Sequence, residues 1–230
     1  MAQKLHRYAS IAIRGAVMAM TKKQAVTERF KGTTLAELRE EIDRCRACPL
    51  WERATQGVPG EGRAHAHVML VGEQPGDQED KVGRPFVGPA GRLLDAALEK
   101  AGVNRGDVFV TNAVKHFSWF PRGKRRMHKT PAQSEVAACL DWLEAEVSLV
   151  RPHVIVCLGA TAAKALLGRD FRVTVERGRV LEGTMAPFII ATVHPSSILR
   201  ITDEQERDAA FERFAADLAV IPEALRRERR

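Results

Sequence analysis

Several short segments carry residue types from which a reaction could be assembled. PRGKRRMHKTP, residues 121–131, surrounds His128 with Arg122, Lys124, Arg125, Arg126 and Lys129. A neutral imidazole is a competent nucleophile or base near pH 7, whereas composition alone reads such a run as a solvated basic patch. GEQPG, residues 72–76, sets the Glu73 carboxylate and the Gln74 amide in a glycine turn whose backbone N–H groups can bind a carbonyl or a phosphate. TNAVKHF, residues 111–117, holds Asn112, an amide that donates and accepts side by side, and VHPSSILR, residues 193–200, holds His194, Ser196 and Ser197. Cys45-x-x-Cys48, with Cys139 and Cys157 further on, does not resemble a secreted disulfide framework. It suggests a metal or cluster site in a reducing compartment, so the expected location is the cytoplasm.

These residues need a scaffold that brings them together. Four short apolar runs, at 67–72, 108–113, 154–159 and 188–193, are continuous rather than alternating, which suits strands buried on both faces of a parallel sheet. Helical periodicity appears at 34–45 with Thr34 as N-cap, at 90–102 closing on Gly102, at 130–150 opening on Thr130, at 160–168 closing on Gly168, and at 203–221. Residues 173–183 read as a small β excursion with a turn at Arg177-Gly178. The expected fold is α/β, a single three-layer αβα domain around a central four-stranded parallel sheet. Ligands of such sheets bind beyond the carboxyl ends of the strands, and the polar segments follow the runs at that rim.

The 230 residues suit one domain, expected at 34–220, after a basic, weakly ordered extension at 1–33 and before a charged tail at 221–230. The net charge of +7 favours a polyanionic partner. SIAIRGAVMAM, residues 10–20, is interrupted by Arg14 and too short to span a membrane, so no membrane association is expected; a signal or transit peptide is the alternative for this stretch.

GEQPGDQED, GRPFVGPAGRLLD, TNAVKHF and VHPSSILR, in that order and with the early CRAC, resemble the uracil-DNA glycosylase superfamily over residues 34–220, in particular its iron-sulfur family 4 and the UdgX branch. The resemblance implies excision of uracil from single- or double-stranded DNA by a monomer. It makes Asn112, Gln74, Glu79 and Phe86 uracil-binding residues: Asn112 reads the O4/N3 edge, Phe86 stacks on the base and Glu79 crowds the thymine methyl. Flipping a base from the stack costs a few kcal/mol, and a bidentate amide contact discriminates by ~1–3 kcal/mol. His194 stabilises charge developing on uracil O2. Ser196, Ser197, Lys124, Arg125 and Arg126 hold DNA phosphates. Where family 4 has a fourth cysteine this chain has His116, a departure shared with the UdgX branch, so the implied [4Fe-4S] cluster has Cys45, Cys48, His116 and Cys139 as ligands. Zinc is the rival metal.

The UdgX branch carries an insertion similar to residues 123–128, and the resemblance implies that His128 bonds to the sugar C1′ after uracil departs, with Glu73 orienting the ring. Two other readings stand beside it: a conventional turnover glycosylase, and a noncatalytic nucleic-acid-binding module with a structural metal.

Overall fold

A computed structural model describes residues 25–227. The chain divides into two units, residues 1–33 and 34–230. Most of the expected N-terminal extension lies outside the described residues; within it, residues 25–29 are helical. Among the described residues no helix is long and apolar enough to cross a membrane.

The second unit opens with α1 (Leu35–Asp43), which starts where a capping box can form. Thr34 Oγ1 accepts from the Glu37 N–H at 3.2 Å, and the Glu37 carboxylate accepts from the Thr34 N–H at 2.7 Å, so two orphan amides are satisfied at once. The strands β1 (Val68–Gly72), β2 (Val108–Asn112), β5 (Val154–Leu158) and β7 (Phe188–Thr192) are the four apolar runs. They are parallel neighbours in the order β2-β1-β5-β7. Successive side chains point to opposite faces. Val68, Leu70, Val110, Val156 and Ile190 join one buried cluster, while Met69, Val71, Phe109, Ile155 and Ile189 join another. Each face is covered: α3 (Pro89–Lys100) and α8 (Glu204–Leu218) contribute Leu94, Leu98 and Phe214 to the first, and α4 (Gln133–Val150) contributes Leu143 to the second. That double covering is why the runs are continuous.

Four expectations need correction. The sheet has a fifth strand, β6 (Val180–Glu182), antiparallel to β7 at the edge. The segment read as a β excursion starts instead with a helical turn, α6 (Val173–Glu176), and only then passes through the Arg177-Gly178 turn, where Gly178 has φ +72°, into β6. Helix α4 begins at Gln133 rather than Thr130, because the Glu135 carboxylate caps the Ala132 N–H at 2.6 Å. Residues 221–227 are not tail but helix α9 (Ile221–Arg227), whose Ile221 and Ala224 are fully buried in the first cluster. Their i, i+3 spacing carried the signal that the arginines masked.

The basic segment is also more than a loop. Strands β3 (Trp119–Arg122) and β4 (Arg125–His128) form an antiparallel hairpin turning at Gly123-Lys124, with Gly123 at φ +59°. A non-glycine residue there would be strained. The remaining short helices, α2 (Asp77–Val82), α5 (Ala160–Leu167) and α7 (Pro195–Leu199), follow β1, β5 and β7 and start at the same rim.

Candidate active site

Because β1, β2, β5 and β7 run parallel, their carboxyl ends open on one side, into a cleft of about 550 Å³. Glu73, Gln74, Glu79, Phe86, Asn112, His128, His194, Ser196 and Ser197 all line it. So the segments expected to converge do converge.

Asn112 ends β2 opposite Gly72 of β1. A Cβ on Gly72 would lie 2.3 Å from Asn112 Oδ1 and 2.8 Å from Phe86 Cζ, so glycine is required for the amide and the ring to meet over the strand end. Phe86 has φ +57°, an uncommon value for a non-glycine residue. Gly91 permits it, since a Cβ there would lie 1.7 Å from the Phe86 carbonyl oxygen. The strained backbone aims the ring into the cleft, where it stacks on the His194 imidazole at 6.1 Å between centroids and 28° between planes. One Glu79 oxygen accepts from the Gly88 N–H at 2.8 Å, which fixes the carboxylate at the cleft wall.

Asn112 is fastened from below. Its carbonyl accepts from Lys115 Nζ at 2.7 Å, and the same ammonium donates to Glu146 Oε2 and Thr111 Oγ1, each at 2.7 Å. Glu146 Oε1 accepts from the Gly60 N–H at 2.7 Å. The ion pair is fully buried, with side-chain exposures of 0% and 1%. Sequence reasoning did not find this pair, because nothing local distinguishes Lys115 and Glu146 from surface charges.

Burial pushes the His194 imidazole down to about 4, with Glu73 opposing and the Arg200 charge adding to the shift. It is therefore neutral at pH 7. The Ser196 N–H donates to His194 Nδ1 at 3.2 Å, and Ser196 Oγ lies 2.8 Å from the same nitrogen. With Nδ1 an acceptor, the single proton of the neutral ring sits on Nε2. Ser197 Oγ donates to the His194 carbonyl at 2.7 Å. Both serine hydroxyls, expected on a phosphate, are thus turned onto His194.

His128 ends β4 and is 51% exposed; its Nε2 lies 3.3 Å from Glu73 Oε1. The Thr161 hydroxyl, in the first turn of α5, donates to Glu73 Oε2. Burial raises the Glu73 pKa, but the hydrogen bonds from His128 and Thr161 and the nearby His128 and His194 outweigh it, and the net shift is downward. Glu73 stays ionised. Thr161 was missed by sequence reasoning, although its segment, LGATAA, follows a strand at the right rim. Arg200 also lines the cleft and was likewise not singled out.

The hairpin that delivers His128 is clamped at two points. Gln74 Nε2 donates to the Ser118 and Lys129 carbonyls, each at 3.1 Å, and Gln74 Oε1 accepts from the Ser118 N–H at 2.9 Å. Its side-chain amide, expected on uracil, is occupied in holding both legs of the hairpin. Arg126 donates to Asp77 Oδ1 and Asp80 Oδ2, each at 2.6 Å, and to Thr55 Oγ1 at 3.2 Å. Asp80 is fully buried and accepts further from the Thr55 N–H. Arg126, expected on phosphate, is therefore an internal tie. Lys124 and Arg125 stay exposed.

The expected metal ligands lie in another corner. Cys45, Cys48, Cys139 and His116 are buried, and the cysteines are free thiols. A hydrogen bond with Cys139 pulls the Cys48 thiol down to about 6 and pushes the Cys139 thiol up. Trp142 Nε1 donates to Cys45 Sγ at 3.2 Å. Burial, aided by the Arg46 charge, lowers the His116 imidazole, and its Nδ1 is buried without a hydrogen-bond partner. These donors suit a soft metal or cluster in kind: thiols, and a neutral ring nitrogen with an unused lone pair. Among the described residues no three His, Cys, Asp or Glu side chains form a metal-holding group. Cys157 is core, its thiol pushed up to about 12 by burial.

A family model described as the uracil DNA glycosylase superfamily matches residues 59–219. The chain belongs to that superfamily. Among its relatives is a type-4 uracil-DNA glycosylase of Pyrobaculum aerophilum, 39% identical over 194 residues, covering 81% of this chain and 92% of that protein. Another, from Thermotoga maritima, is 38% identical over 174 residues, covering 75% and 87%. A third, from Sulfurisphaera tokodaii, is 35% identical over 174 residues, covering 72% and 76%. In this superfamily member the matched region spans the whole cleft, from the glycine turn after β1 to α7 after β7.

Proposed function

We propose that this protein is a uracil-DNA glycosylase that excises uracil from DNA and ends covalently bound to the sugar C1′ through His128. The observation that carries the reading is the pairing of His128 with Glu73, 3.3 Å apart at the wall of the cleft that also holds His194 and Asn112. The relatives' names supply the reaction class, and the hairpin supplies the covalent step.

The flipped base enters between Phe86 and the strand ends. Its O4/N3 edge meets the Asn112 amide, whose orientation is steadied through the Lys115 contact to the same residue's carbonyl. Glu79 stands where a thymine methyl would go. As the C1′–N1 bond breaks, its electron pair moves onto the uracil ring and toward O2, and the Nε2–H of neutral His194 donates a hydrogen bond there without giving up its proton. The sugar is left electron-deficient at C1′. Glu73 accepts from His128 Nε2–H, so Nδ1 holds the lone pair that forms the new C1′–N bond. The resulting imidazolium keeps its Nε2 proton, shared with the Glu73 carboxylate. Uracil leaves as its anion and takes a proton from water.

A [4Fe-4S] cluster would be held by Cys45, Cys48, His116 and Cys139, and would supply a structural tie between the end of α1, the segment after β2 and α4. Support for this lies in the donor set and in the orphaned His116 nitrogen. An absorbance band near 400 nm with matching iron and sulfide content tests it; zinc alone in the purified protein overturns it.

The main test is incubation with a uracil-containing oligonucleotide followed by a denaturing gel. A stable shifted species is expected with the unmodified protein and none with His128→Ala. An alkali-cleavable free product instead of the shift would make the protein a turnover glycosylase. Neither species would make it a binding module.

A further inference from the structure

We propose that the outward face of the β3–β4 hairpin is a second nucleic-acid subsite, a platform on which one unpaired base beside the flipped nucleotide stacks on Phe120 while Arg122 and Arg125 hold its phosphates. The proposal deepens the glycosylase reading and rests on it for the nature of the strand.

The register divides the hairpin into two faces. Trp119 pairs with His128, Phe120 with Met127, Pro121 with Arg126 and Arg122 with Arg125. Opposed residues of an antiparallel pair share a face, and the face alternates along each strand. Trp119, Arg126 and His128 therefore form one face, and Phe120, Arg122, Arg125 and Met127 the other. The first face is held by the body of the protein. Arg126 bonds to Asp77 and Asp80, His128 faces Glu73, and Trp119 Nε1 donates to the Arg53 carbonyl at 2.8 Å.

The second face has no such anchoring. Phe120 is 45% exposed, and Arg122 and Arg125 are exposed with no side-chain hydrogen bond or ion pair among the described residues. A bare basic patch would need cations only. An exposed ring set among cations matches the way single strands are held without sequence preference, by base–aromatic stacking together with backbone neutralisation. Charge complementarity thus commits the face to a polyanion, and the ring commits it to a polyanion with open π-faces. Position gives the register: Met127, opposite Phe120, directly precedes His128, so the platform is the reverse face of the strand whose His128 lines the cleft. In an intact duplex the flanking base is paired and stacked on its neighbours, so the platform favours unpaired strands.

The experiment uses the full chain and fluorescence anisotropy with a labelled, uracil-free oligothymidine, alone and annealed to its complement. Phe120→Ala is expected to weaken single-strand binding by about 5- to 150-fold and duplex binding by less than about twofold, with Phe120→Trp restoring single-strand affinity. Arg122→Ala and Arg125→Ala should each reduce the log–log salt slope by about 0.7. Unchanged single-strand affinity in Phe120→Ala, or an equal loss on both probes, overturns the proposal. Because the probe lacks uracil and excision by the unmodified protein is scored separately, failure of the platform and failure of the glycosylase reading give different results.

Discussion

The two sides of the cleft are built on opposite principles. The side proposed to read and release the base stands on strand ends and is held from within: Asn112 over a fully buried Lys115–Glu146 pair, and His194 fixed by the backbone and hydroxyl of Ser196. The side that presents His128 is an exposed hairpin outside the main sheet, held by the Gln74 amide and the Arg126 guanidinium. The first is stiff because moving it would uncover buried charge. The second stands outside the main sheet and reaches the interior through Arg126, which is tied to the fully buried Asp80.

The largest expected effect tests the stiff side. Lys115→Met leaves the Glu146 carboxylate buried and unpaired, and the fold should lose ~3–5 kcal/mol in urea denaturation. Adding Glu146→Leu should recover most of that loss. A single-variant loss below about 1 kcal/mol would show that Asn112 is not fastened from beneath.

Arg126→Ala acts on the other side. With the tie to Asp77 and Asp80 gone, His128 is misplaced, and the rate of covalent capture should fall by roughly 10²-fold. Release of uracil, followed separately, should fall much less. Equal losses in both would mean that the two sides do not act separately. Gln74→Ala removes weaker, neutral hydrogen bonds from the hairpin legs. The expected slowing of capture is about 10-fold, corresponding to roughly 1.4 kcal/mol, and no change in capture would place the hairpin's anchorage in Arg126 alone.

The last prediction concerns pH. The His194 pKa is lowered to about 4 from its ordinary 6.5. Between those values the unfolded chain binds more protons than the folded one, so stability rises with pH across this window and is lost as pH falls from about 6.5 toward 4. A Tm series at stepped pH should show this decline, and His194→Asn should flatten it. An unchanged slope in that variant would place the acid sensitivity elsewhere.

How much of this was legible in the sequence differs between the same two sides. The four parallel strands could be read because burial on both faces leaves an uninterrupted apolar run of about strand length. Placing the active residues at the carboxyl ends followed from the topology of such sheets. The edge strand β6 lies in the segment read as a β excursion, but its place in the main sheet escaped because its residues are at most half-buried, and the hairpin escaped because a basic sequence has no apolar alternation to reveal a strand.

The sequence by itself determined the strand runs, the helix caps and the order of the polar segments, since each depends on residues close together along the chain. Only the tertiary structure decided which charges are free. Gln74 meets Ser118, Arg126 meets Asp80, Thr161 meets Glu73 and Lys115 meets Glu146 across 31 to 88 residues of chain. Neighbouring Arg125 and Arg126 have similar side chains and equal charge, yet the pleat of one strand sends the first to solvent and the second onto Asp77 and the fully buried Asp80. Which side of a strand faces the protein is set by what packs beneath it, and that is not written in the spacing of the residues themselves.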